Sequence, residues 1–479
     1  MREEELISLI RKVQQRRTEF QTVELKASEK GFPKRIYDTL SSFSNQDEGG
    51  TIIFGVSEKD GYDTVGVYNV EDAQKKAMEA CSQMEPNVRA VFTNAEMDGH
   101  LVLSAEIPAV EYYNRPVFYK GAGRLKGSYV RVGDADEPMS EYEVYSYEAF
   151  RRRLHDELRT VPEARIDLFD LDRLNRYLEA VKKERKNLSE LSDKEILELM
   201  GVTVKGVPTL AAILAFSKYP QAWFPQLCIT AVAVPGTDMG DTDRDGARFL
   251  DNKRITGAIS DMLDDAVEFV RKNMRTKTII DADGKRADKD EYPIVAVREA
   301  ILNALIHRDY SLLTENTPVS IEIYRNRMVI VSRGGLYGGG SVEQLGKGRP
   351  ETRNPVLANM MELLKISENR YSGIPTIRRE FKAADLPAPE FDVTRGVFSV
   401  TFQNGTGIPE KEIDRRDIYM AVVQYCSTPK SRAEITSFTG KSRYYTMSAI
   451  VQPLIDQGRL QMTMPDKPKS TKQQYVATR

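Results

Sequence analysis

Apolar and polar positions along the first 150 residues switch from a helical period to short alternating runs. A charged helical opening is followed by four strand-like runs, "GGTIIFGVSE", "VRAVFTNAEM", "HLVLSAEIPA" and "GSYVRVG", separated by Gly, Asn and Asp. Alternation of this length between turn-forming residues is typical of half-buried strands. The pattern predicts an α+β domain over residues 1–150.

Residues 151–289 have a more helical pattern. We expect charged helices at "RRRLHDELRT" and "LDRLNRYLEAVKKERKNL", and a helix at "DKEILELMG" that ends at Gly201. "QLCITAVAVPG" is a strand candidate, and "DMLDDAVEFVRKNM" is a helix whose apolar face we expect to pack in the core. No catalytic set of residues assembles here, so we interpret this stretch as an α/β connecting domain.

Residues 290–404 combine one long apolar helix with a hairpin. The helix contains "VREAILNALIHRDYS", Val297–Ser311, and the alternation in "PVSIEIYRNRMVIVSRGG" predicts two strands that turn at Arg325–Arg327. "QNGTGIPEKE" is the clearest linker because of its Gly, Pro and charge content. After it, residues 415–479 read as helix, helix, helix and hairpin.

Composition narrows the class of protein. A chain of 479 residues is too long for one core, so about three domains are expected. Three cysteines in such a chain give neither a metal-binding spacing nor a disulfide framework. The N-terminus is charged without an apolar signal core, and no run of apolar residues is long enough to span a bilayer. We therefore expect a cytoplasmic protein without a membrane segment.

The net charge of -2 hides a basic C-terminus. From Ile418 to the end there are nine Lys or Arg against three Asp or Glu, a balance of about +6. The segment is similar to a winged helix, with a tight turn at the glycine that ends "SRAEITSFTG". The resemblance implies a kink or helix end at Pro453 and a nucleic-acid partner, with DNA favoured over RNA. The predicted base-reading positions are Ser442, Arg443, Tyr444 and Tyr445, and the wing tip carries Lys467, Lys469 and Lys472.

The long apolar helix carries an unusual polar row. Glu299, Asn303 and His307 are spaced four apart, so they share one helix face. A solvent-facing stripe would give the same pattern. However, three glycine-containing turns follow, "SRGGLYGGG", "GKGRPETRNP" and "ENRYSGIPTI", and glycine lets backbone N–H groups approach anionic oxygens. Asn can hold a hydrated Mg²⁺ and Glu can orient a water, which favours a phosphate-bearing ligand. His307 and Asp309, at the helix end, are assigned to capping and domain contacts.

These motifs together resemble the divergent GHKL-type ATPase domain of bacterial proteins described as transcriptional regulators. The resemblance covers residues 290–404 and implies a Bergerat-type α/β sandwich, a mixed sheet backed by helices, with an ATP lid. By the same resemblance, Asn303 matches the Mg²⁺-coordinating Asn and Glu299 the catalytic acid of that box. The matching glycines are Gly334 and Gly335 in the first glycine box and Gly373 in a later one. Ser332 or Arg333 stands where the family has the Asp that contacts adenine, so a nucleotide-sensing site is an alternative to a working ATPase.

The N-terminal domain carries a second candidate site. Glu19, Glu24 and Lys26 precede the first strand-like run, and Glu58 follows it. Converging carboxylates can hold a divalent metal and position water, although solvated surface charges would explain the same residues. "VELKAS", "SSFSNQDEGGTIIFGV" and "GSYVRVGDADEPMS" resemble the Schlafen AlbA-like domain, over about residues 12–150.

That resemblance implies nucleic-acid binding and, in some relatives, a ribonuclease with three acidic residues. Glu19 and Glu24 match the first two acids, and the third is Glu58 or Asp60. The predicted phosphate contacts are Lys26, Lys34, Arg35, Arg124, Lys126 and Arg131.

Three functions follow from the sequence. The first is a nucleotide-responsive DNA-binding protein, a transcriptional regulator with ATP and Mg²⁺ in the GHKL-like site. The second is a Schlafen-like metal-dependent endonuclease acting on RNA or DNA in defence or stress response. The third is an ATP-dependent dimeric scaffold, since GHKL relatives often dimerise. In each case we expect a homodimer or a higher homo-oligomer.

Overall fold

The linker predicted around residues 403–412 separates two units in a computed structural model of the chain. The units comprise residues 1–404 and 405–479. The structure describes residues 1–280, 286–348, 351–367, 372–405, 415–439, 446–464 and 473–478. In these ranges, no helix is both long enough and apolar enough to cross a membrane.

The first 151 residues form an α+β domain, as predicted. Its elements are α1 (Glu3–Arg16), β1 (Val23–Lys26), α2 (Tyr37–Ser44), β2 (Gly50–Phe54), β3 (Val56–Ser57), β4 (Asp63–Thr64), α3 (Val70–Ser82), β5 (Met84–Glu85), β6 (Val91–Met97), β7 (His100–Ile107), β8 (Phe118–Tyr119), α4 (Gly123–Gly127), β9 (Tyr129–Val132), β10 (Ala135–Pro138) and α5 (Glu141–Arg151). Each of the four strand-like runs contains one of these strands.

Helices cover both faces of the central sheet of this domain. The strand order is β1-β2-β7-β6, with β1 and β2 parallel and the other pairs antiparallel. Because side chains alternate along a strand, Ile52 and Phe54 pack with α2 and α3, whereas Ile53 packs with α1 on the opposite face. The result is a three-layer domain with two apolar cores.

The rest of the first unit contains seventeen described helices and strands. They are α6 (Leu171–Glu184), α7 (Asp193–Leu199), β11 (Thr203–Val204), β12 (Val207–Pro208), α8 (Leu210–Phe216), β13 (Ile229–Ala233), β14 (Asp251–Ile255), α9 (Ile259–Asn273), β15 (Thr276–Ile280), β16 (Arg286–Asp290), α10 (Ile294–His307), β17 (Val319–Ile323), β18 (Arg327–Arg333), α11 (Pro355–Leu363), α12 (Gly373–Ala383), β19 (Glu390–Thr394) and β20 (Val397–Gln403).

These elements form a mixed six-stranded sheet backed by helices, as the GHKL resemblance implied. The strand order is β14-β13-β17-β18-β20-β19, and only β13 and β17 run parallel. Alternate residues such as Ile321, Met328 and Phe402 join the core that α8, α9, α10 and α12 also supply. The predicted hairpin is confirmed as β17 and β18.

Two sequence-based expectations differ from the structure. The helix expected at "RRRLHDELRT" is absent: α5 ends at Arg151, Arg153 is left-handed at φ 53°, and only a 3₁₀ turn, Asp156–Leu158, follows. The expected boundary between residues 289 and 290 also divides one sheet, because β14 and β13 precede it and β13 pairs with β17, which follows it. Local periodicity contains no information about which distant strand becomes a neighbour.

The second unit is small, and its described part has its own core. Its elements are α13 (Arg415–Tyr425), β21 (Lys430–Ser431), α14 (Arg432–Thr439), a π-helix (Thr446–Val451), α15 (Gln452–Asp456), β22 (Leu460–Met462) and β23 (Gln474–Ala477). The strands form a sheet in the order β21-β23-β22. Pro453 lies in the first turn of α15, where a missing N–H costs little.

The winged helix stays a prediction. Its expected base-reading and wing-tip residues lie outside the described ranges: Ser442, Arg443, Tyr444, Tyr445, Lys467, Lys469 and Lys472.

Glu157 joins the segment after α5 to α11, and it makes the stability of this junction sensitive to pH. Its carboxylate is fully buried and accepts hydrogen bonds from the N–H groups of Val356 (2.9 Å) and Leu357 (2.7 Å). Burial raises the pKa of Glu157 to about 7 despite these two bonds. The folded protein therefore binds a proton more tightly than the unfolded chain does, and the contribution of Glu157 to stability falls as the pH rises from about 4.5 to 7.

We predict that Glu157→Gln removes this pH dependence. Between pH 5 and pH 8 the wild-type melting temperature should fall more than that of the variant, by an amount corresponding to at most about 3 kcal/mol. Parallel pH-dependent slopes in the two proteins would show that Glu157 titrates at its ordinary pKa. Differential scanning calorimetry of the full chain makes the comparison, with the exposed Glu3→Gln as the control.

Candidate nucleotide site and its contacts with the N-terminal domain

Helix α10 lies at the centre of the second core. It begins after Pro293 and is apolar on nearly all sides because it packs against β18, α9 and α12. It ends at His307 because Arg308 is extended and buried, where its guanidinium donates to the carbonyls of Thr314 (3.1 Å) and Thr317 (2.7 Å). Arg298, Glu299 and Asn303 are half-buried polar positions along it.

Three of the predicted nucleotide residues meet in the structure. Asn303 Nδ2 lies 3.4 Å from Glu299 Oε1, and Gly373 begins α12 directly against them. A Cβ atom at residue 373 would lie 2.5 Å from Glu299 Oε1 and 2.9 Å from Asn303 Nδ2, so glycine is required for this approach. The start of α12 also brings the partial positive charge of a helix N-terminus to the pair.

The first glycine box lies beyond this group, at the end of α10. Gly334 has φ 119°, and a Cβ there would lie 2.9 Å from the Asp309 backbone nitrogen. Its N–H donates to Gly396 O, and the Asp309 N–H donates to Arg333 O. Ser332 is buried in β18 opposite Phe398. Gly335 follows in the loop. Ser332, Gly334 and Gly335 therefore lie near the end of α10, whereas the atoms nearest to Gly373 belong to Glu299 and Asn303.

Asp309 is the most heavily bonded side chain near this loop. It is fully buried, forms a very short ion pair with Arg353 and accepts a hydrogen bond from the hydroxyl of Tyr142 at 3.1 Å. Its other oxygen accepts from the Ser311 N–H (2.8 Å) and the Thr314 hydroxyl (3.1 Å). Since Tyr142 belongs to α5, this carboxylate ties the nucleotide-site domain to the N-terminal domain. The predicted domain contact of Asp309 is present in the structure, whereas the residue that caps the end of α10 is Arg308.

His307, the other residue at the end of α10, is exposed, whereas Asp309 is buried. The Nδ1 atom of His307 lies 3.3 Å from the Thr352 hydroxyl. The polar row that the sequence shows therefore separates in the structure into a half-buried pair, Glu299 and Asn303, and an exposed residue, His307.

Further contacts join the glycine loop to α5. A Cβ at Gly339 would lie 2.7 Å from the Tyr112 ring, and one at Gly338 would lie 3.0 Å from the Phe150 ring. Arg395 adds ion pairs with Glu137 (2.6 Å) and Glu143 (3.1 Å). A cavity of about 350 Å³ remains between the loop and α5. The N-terminal domain therefore packs against the glycine loop.

The residues at the start of α12 fit a Mg²⁺–phosphate edge. The carboxamide oxygen of Asn303 and the carboxylate of Glu299 are oxygen ligands of the kind that Mg²⁺ prefers, and they stand beside an N–H-bearing helix start. Asn303 and Glu299 would hold the metal, and Mg²⁺ bound there would supply positive charge that offsets the charge of the phosphates. Neither Ser332 nor Arg333 has a carboxylate that could accept a hydrogen bond from the adenine amino group.

The acids of the N-terminal domain surround an arginine. The Arg131 guanidinium, with a side chain 1% exposed, lies 2.9 Å from Glu24, 2.8 Å from Asp136 and 3.8 Å from Glu19. Burial and the negative charge of Glu24 raise the pKa of Glu19 to about 7, against the opposing effect of the hydrogen bond from the Leu25 N–H. Glu58 is exposed and close enough to Glu19 to raise its pKa further. The described residues contain no group of three or more His, Cys, Asp or Glu arranged to hold a metal ion.

The predicted phosphate contacts divide into two groups. Arg131 is buried among carboxylates, Lys26 is paired with Glu24 at 2.5 Å, and Arg124 is paired with Glu148 at 2.8 Å. Lys34, Arg35 and Lys126 are exposed. In this conformation Arg131 is therefore the counter-ion of the acids, and the exposed cations are the ones available to a ligand.

Sequence reasoning missed three residues of these networks. Tyr142 is 167 residues from Asp309 in the chain, and no local pattern marks it. Asp136 lies opposite Arg131 in the hairpin of β9 and β10, within the stretch "GSYVRVGDADEPMS". Arg353 lies in the "RNP" motif. The identity of its partner, Asp309, required the fold.

Comparison with known proteins finds two matching families. Residues 19–140 match the family described as Schlafen, AlbA_2, and residues 316–402 match the one described as putative ATP-dependent DNA helicase recG C-terminal. The chain therefore carries a Schlafen AlbA_2 domain and a recG-type HATPase domain. The second match includes Ser332, Gly334, Gly335 and Gly373, whereas Glu299 and Asn303 precede it. No curated protein matches the chain.

Two solved structures are similar over very different lengths. The DIP2311 protein from Corynebacterium diphtheriae is 18% identical, with a TM-score of 0.41, over 95% of this chain and 93% of its own. The N-terminal domain of a putative ATP-dependent DNA helicase RecG-related protein from Nitrosomonas europaea is 23% identical, with a TM-score of 0.23. That alignment covers 27% of this chain and 90% of its own.

We predict that Gly373→Ala weakens nucleotide binding without unfolding the protein. The added methyl group would displace the ends of the Glu299 and Asn303 side chains, which can move, so the fold should be retained. A loss of about 1.4 kcal/mol would raise the Kd for ATP–Mg²⁺ tenfold. Isothermal titration calorimetry measures the change, and Gly240→Ala, where an added Cβ would meet no atom within 4 Å, is the matched control. Equal Kd values for wild type and Gly373→Ala would separate this glycine from the site.

We also predict that Arg131→Ala destabilises the N-terminal domain strongly. Removing the guanidinium leaves the half-buried Asp136 without its cation and Glu24 with Lys26 alone, at a cost of about 3 kcal/mol. Hydrogen exchange in β1 and β9 should accelerate accordingly. Arg152→Ala, at an exposed arginine paired with Glu148, should change exchange little. Similar exchange in both variants would mean that the acids do not depend on Arg131.

Proposed function

We propose that the protein is a nucleotide-responsive nucleic-acid-binding protein. ATP with Mg²⁺ occupies the edge formed by Glu299, Asn303 and Gly373, and the AlbA-like domain binds nucleic acid. The two matching families support the two activities, since one is named for a RecG helicase and the other for Schlafen AlbA. The response of one site to the other is supported by the contacts between the domains.

The bonding of Asp309 is the observation that carries this proposal. The backbone N–H of Asp309 bonds to Arg333, where the glycine loop begins. Its buried carboxylate contacts Arg353 of the following segment and Tyr142 of the AlbA-like domain. A nucleotide that draws the glycine loop toward its phosphates must shift Gly334 against the Asp309 backbone. Because packed, buried networks have few alternative arrangements, such a shift would be transmitted to Tyr142 and α5.

Nucleotide and nucleic acid then act as coupled ligands. Coupling requires that each ligand bind one of two conformations more tightly, and it is reciprocal. We assign the conformations to two positions of the glycine loop against Tyr112 and Phe150. Glu299 would orient the water or phosphate, and Asn303 would hold the metal; hydrolysis is not required for the response.

The acidic cluster favours binding over metal-dependent cleavage. A Schlafen-like endonuclease would need Glu19, Glu24 and Glu58 to share a cation, and the Arg131 guanidinium already pairs with Glu24 and lies 3.8 Å from Glu19. The endonuclease on RNA or DNA stays the alternative, and gel analysis of incubated DNA and RNA tests it. Transcriptional regulation through DNA, with the winged helix as a second contact, is the biological role that we propose. Homodimerisation stays a prediction.

The decisive experiment measures the coupling directly. We expect ATP–Mg²⁺ to change the Kd of the full chain for a fluorescent DNA or RNA oligonucleotide by about 5- to 150-fold, the usual range of allosteric coupling. Asn303→Ala should abolish nucleotide binding and hence the change. Tyr142→Phe should bind each ligand alone normally but show a coupling reduced severalfold, because only its hydroxyl reaches Asp309.

Tyr113→Phe, at a tyrosine 52% exposed, is the control and should behave as wild type. Normal nucleotide binding by Asn303→Ala would remove the site assignment. Full coupling in Tyr142→Phe would show that the signal, if present, takes another route. Absence of any coupling in the wild-type protein would contradict the proposal itself.

A further inference from the structure

Two tyrosines stack on each other at the surface of the AlbA-like domain. The rings of Tyr37, the first residue of α2, and Tyr119, in β8, have centroids 3.9 Å apart and an interplanar angle of 17°. Both are half-buried. The Tyr37 hydroxyl donates to Gln83 Oε1 at 3.0 Å, which fixes the ring in place. The pair is therefore a rigid aromatic platform and not two independently mobile side chains.

Neighbouring residues leave the platform open at one end. A Cβ at Gly121 would lie 2.5 Å from Cζ and the hydroxyl oxygen of Tyr119, so any other residue there would crowd the end of the ring. Gly121 is itself exposed. Position 121 therefore places no side chain over the ring, and part of each half-buried ring stays accessible to a planar ligand.

Exposed cations lie near the same aromatic pair in the chain or in the packing. Lys34 and Arg35 precede Tyr37 by three and two residues, and Lys126 is in α4, which packs on β8. Lys120 follows Tyr119, but its ammonium donates to Ser82 O (3.1 Å) and Asn87 Oδ1 (3.0 Å), which makes it less available to a ligand. Helix α2 has no side-chain cap, so its first N–H groups also lie at this surface. We call Tyr37, Tyr119, Lys34, Arg35 and Lys126 the aromatic–basic surface.

We propose that the aromatic–basic surface binds single-stranded nucleic acid, with one or more bases stacked on the Tyr37–Tyr119 pair and the neighbouring phosphates on the cations. This rests on the proposed nucleic-acid binding and names the class of ligand. Phosphate contacts alone do not distinguish one strand from two, because both present the same backbone charge. Aromatic faces do distinguish them, because the base faces of a duplex are already stacked on each other and those of a single strand are free.

The test compares strands on the full-length protein. Fluorescence anisotropy would give the Kd for a 20-nucleotide single strand and for the same sequence as a duplex, in DNA and in RNA, at one salt concentration. We expect the single strand to bind at least tenfold more tightly in at least one of the two nucleic acids. Tyr119→Leu should weaken single-strand binding by about 5- to 150-fold, the usual effect of losing one base–aromatic stack, and leave duplex binding unchanged.

Three controls make the result interpretable. Tyr119→Phe keeps the ring and should retain single-strand affinity, and Tyr219→Leu alters a tyrosine 54% exposed elsewhere in the chain and should have no effect. An unchanged melting temperature and unchanged ATP binding of Tyr119→Leu show that it folds. Lys34→Glu with Arg35→Glu should weaken single strand and duplex alike, since charge is shared by both.

The outcomes separate this inference from the proposed function. Duplex binding equal to or tighter than single-strand binding, or a folded Tyr119→Leu with wild-type affinity, overturns the stacking proposal but leaves nucleic-acid binding intact. No binding of any strand by the wild-type protein overturns both. Loss of affinity in Tyr119→Phe would place the effect in the hydroxyl group and would likewise exclude stacking.

Discussion

The buried ion pair between Asp309 and Arg353 holds the first unit together. Taking two charges out of water is costly, and the pair is stable only because every other acceptor position of the carboxylate is also used, by Tyr142, Ser311 and Thr314. Such a network is tolerant of few alternatives, because losing one partner leaves a buried charge uncompensated. Asp309 therefore connects three parts of the structure: the segment that follows α10, the start of the glycine loop and α5 of the AlbA-like domain.

In this arrangement, two separate constraints favour glycine in the loop "SRGGLYGGG". A ligand-binding loop needs backbone N–H groups free of side chains, which is how the sequence pattern is interpreted. The structure adds a second need, since Gly334 abuts the Asp309 backbone and Gly339 abuts the Tyr112 ring. A loop that must satisfy both a phosphate and a neighbouring domain cannot adjust to one without disturbing the other. That shared constraint is the physical basis for coupling the two domains.

What could be predicted from the sequence follows the range of the interactions. The helix with Glu299 and Asn303 and the hairpin of β17 and β18 depend on neighbours within a few residues, and periodicity revealed them. The approach of Gly373 to that helix came only through a resemblance of motifs. The burial of Arg131 could not be anticipated, because its carboxylate partner Glu24 is 107 residues away in the chain. A buried arginine and an exposed one look the same in a sequence.

The inward position of acidic side chains around Arg131 also helps a chain with a net charge of -2 to attract a polyanion. Glu19, Glu24 and Asp136 are drawn inward by Arg131, where their charge is offset and screened from the solvent by protein. Lys34, Arg35 and Lys126 stay at the surface of the same domain. Since the field felt by an approaching phosphate is set mainly by the exposed charges within about one Debye length, roughly 8 Å at physiological salt, these cations can attract a phosphate although the net charge of the chain is negative. The arginine that stabilises the interior thus also determines the electrostatic character of the surface, and a substitution there would alter both.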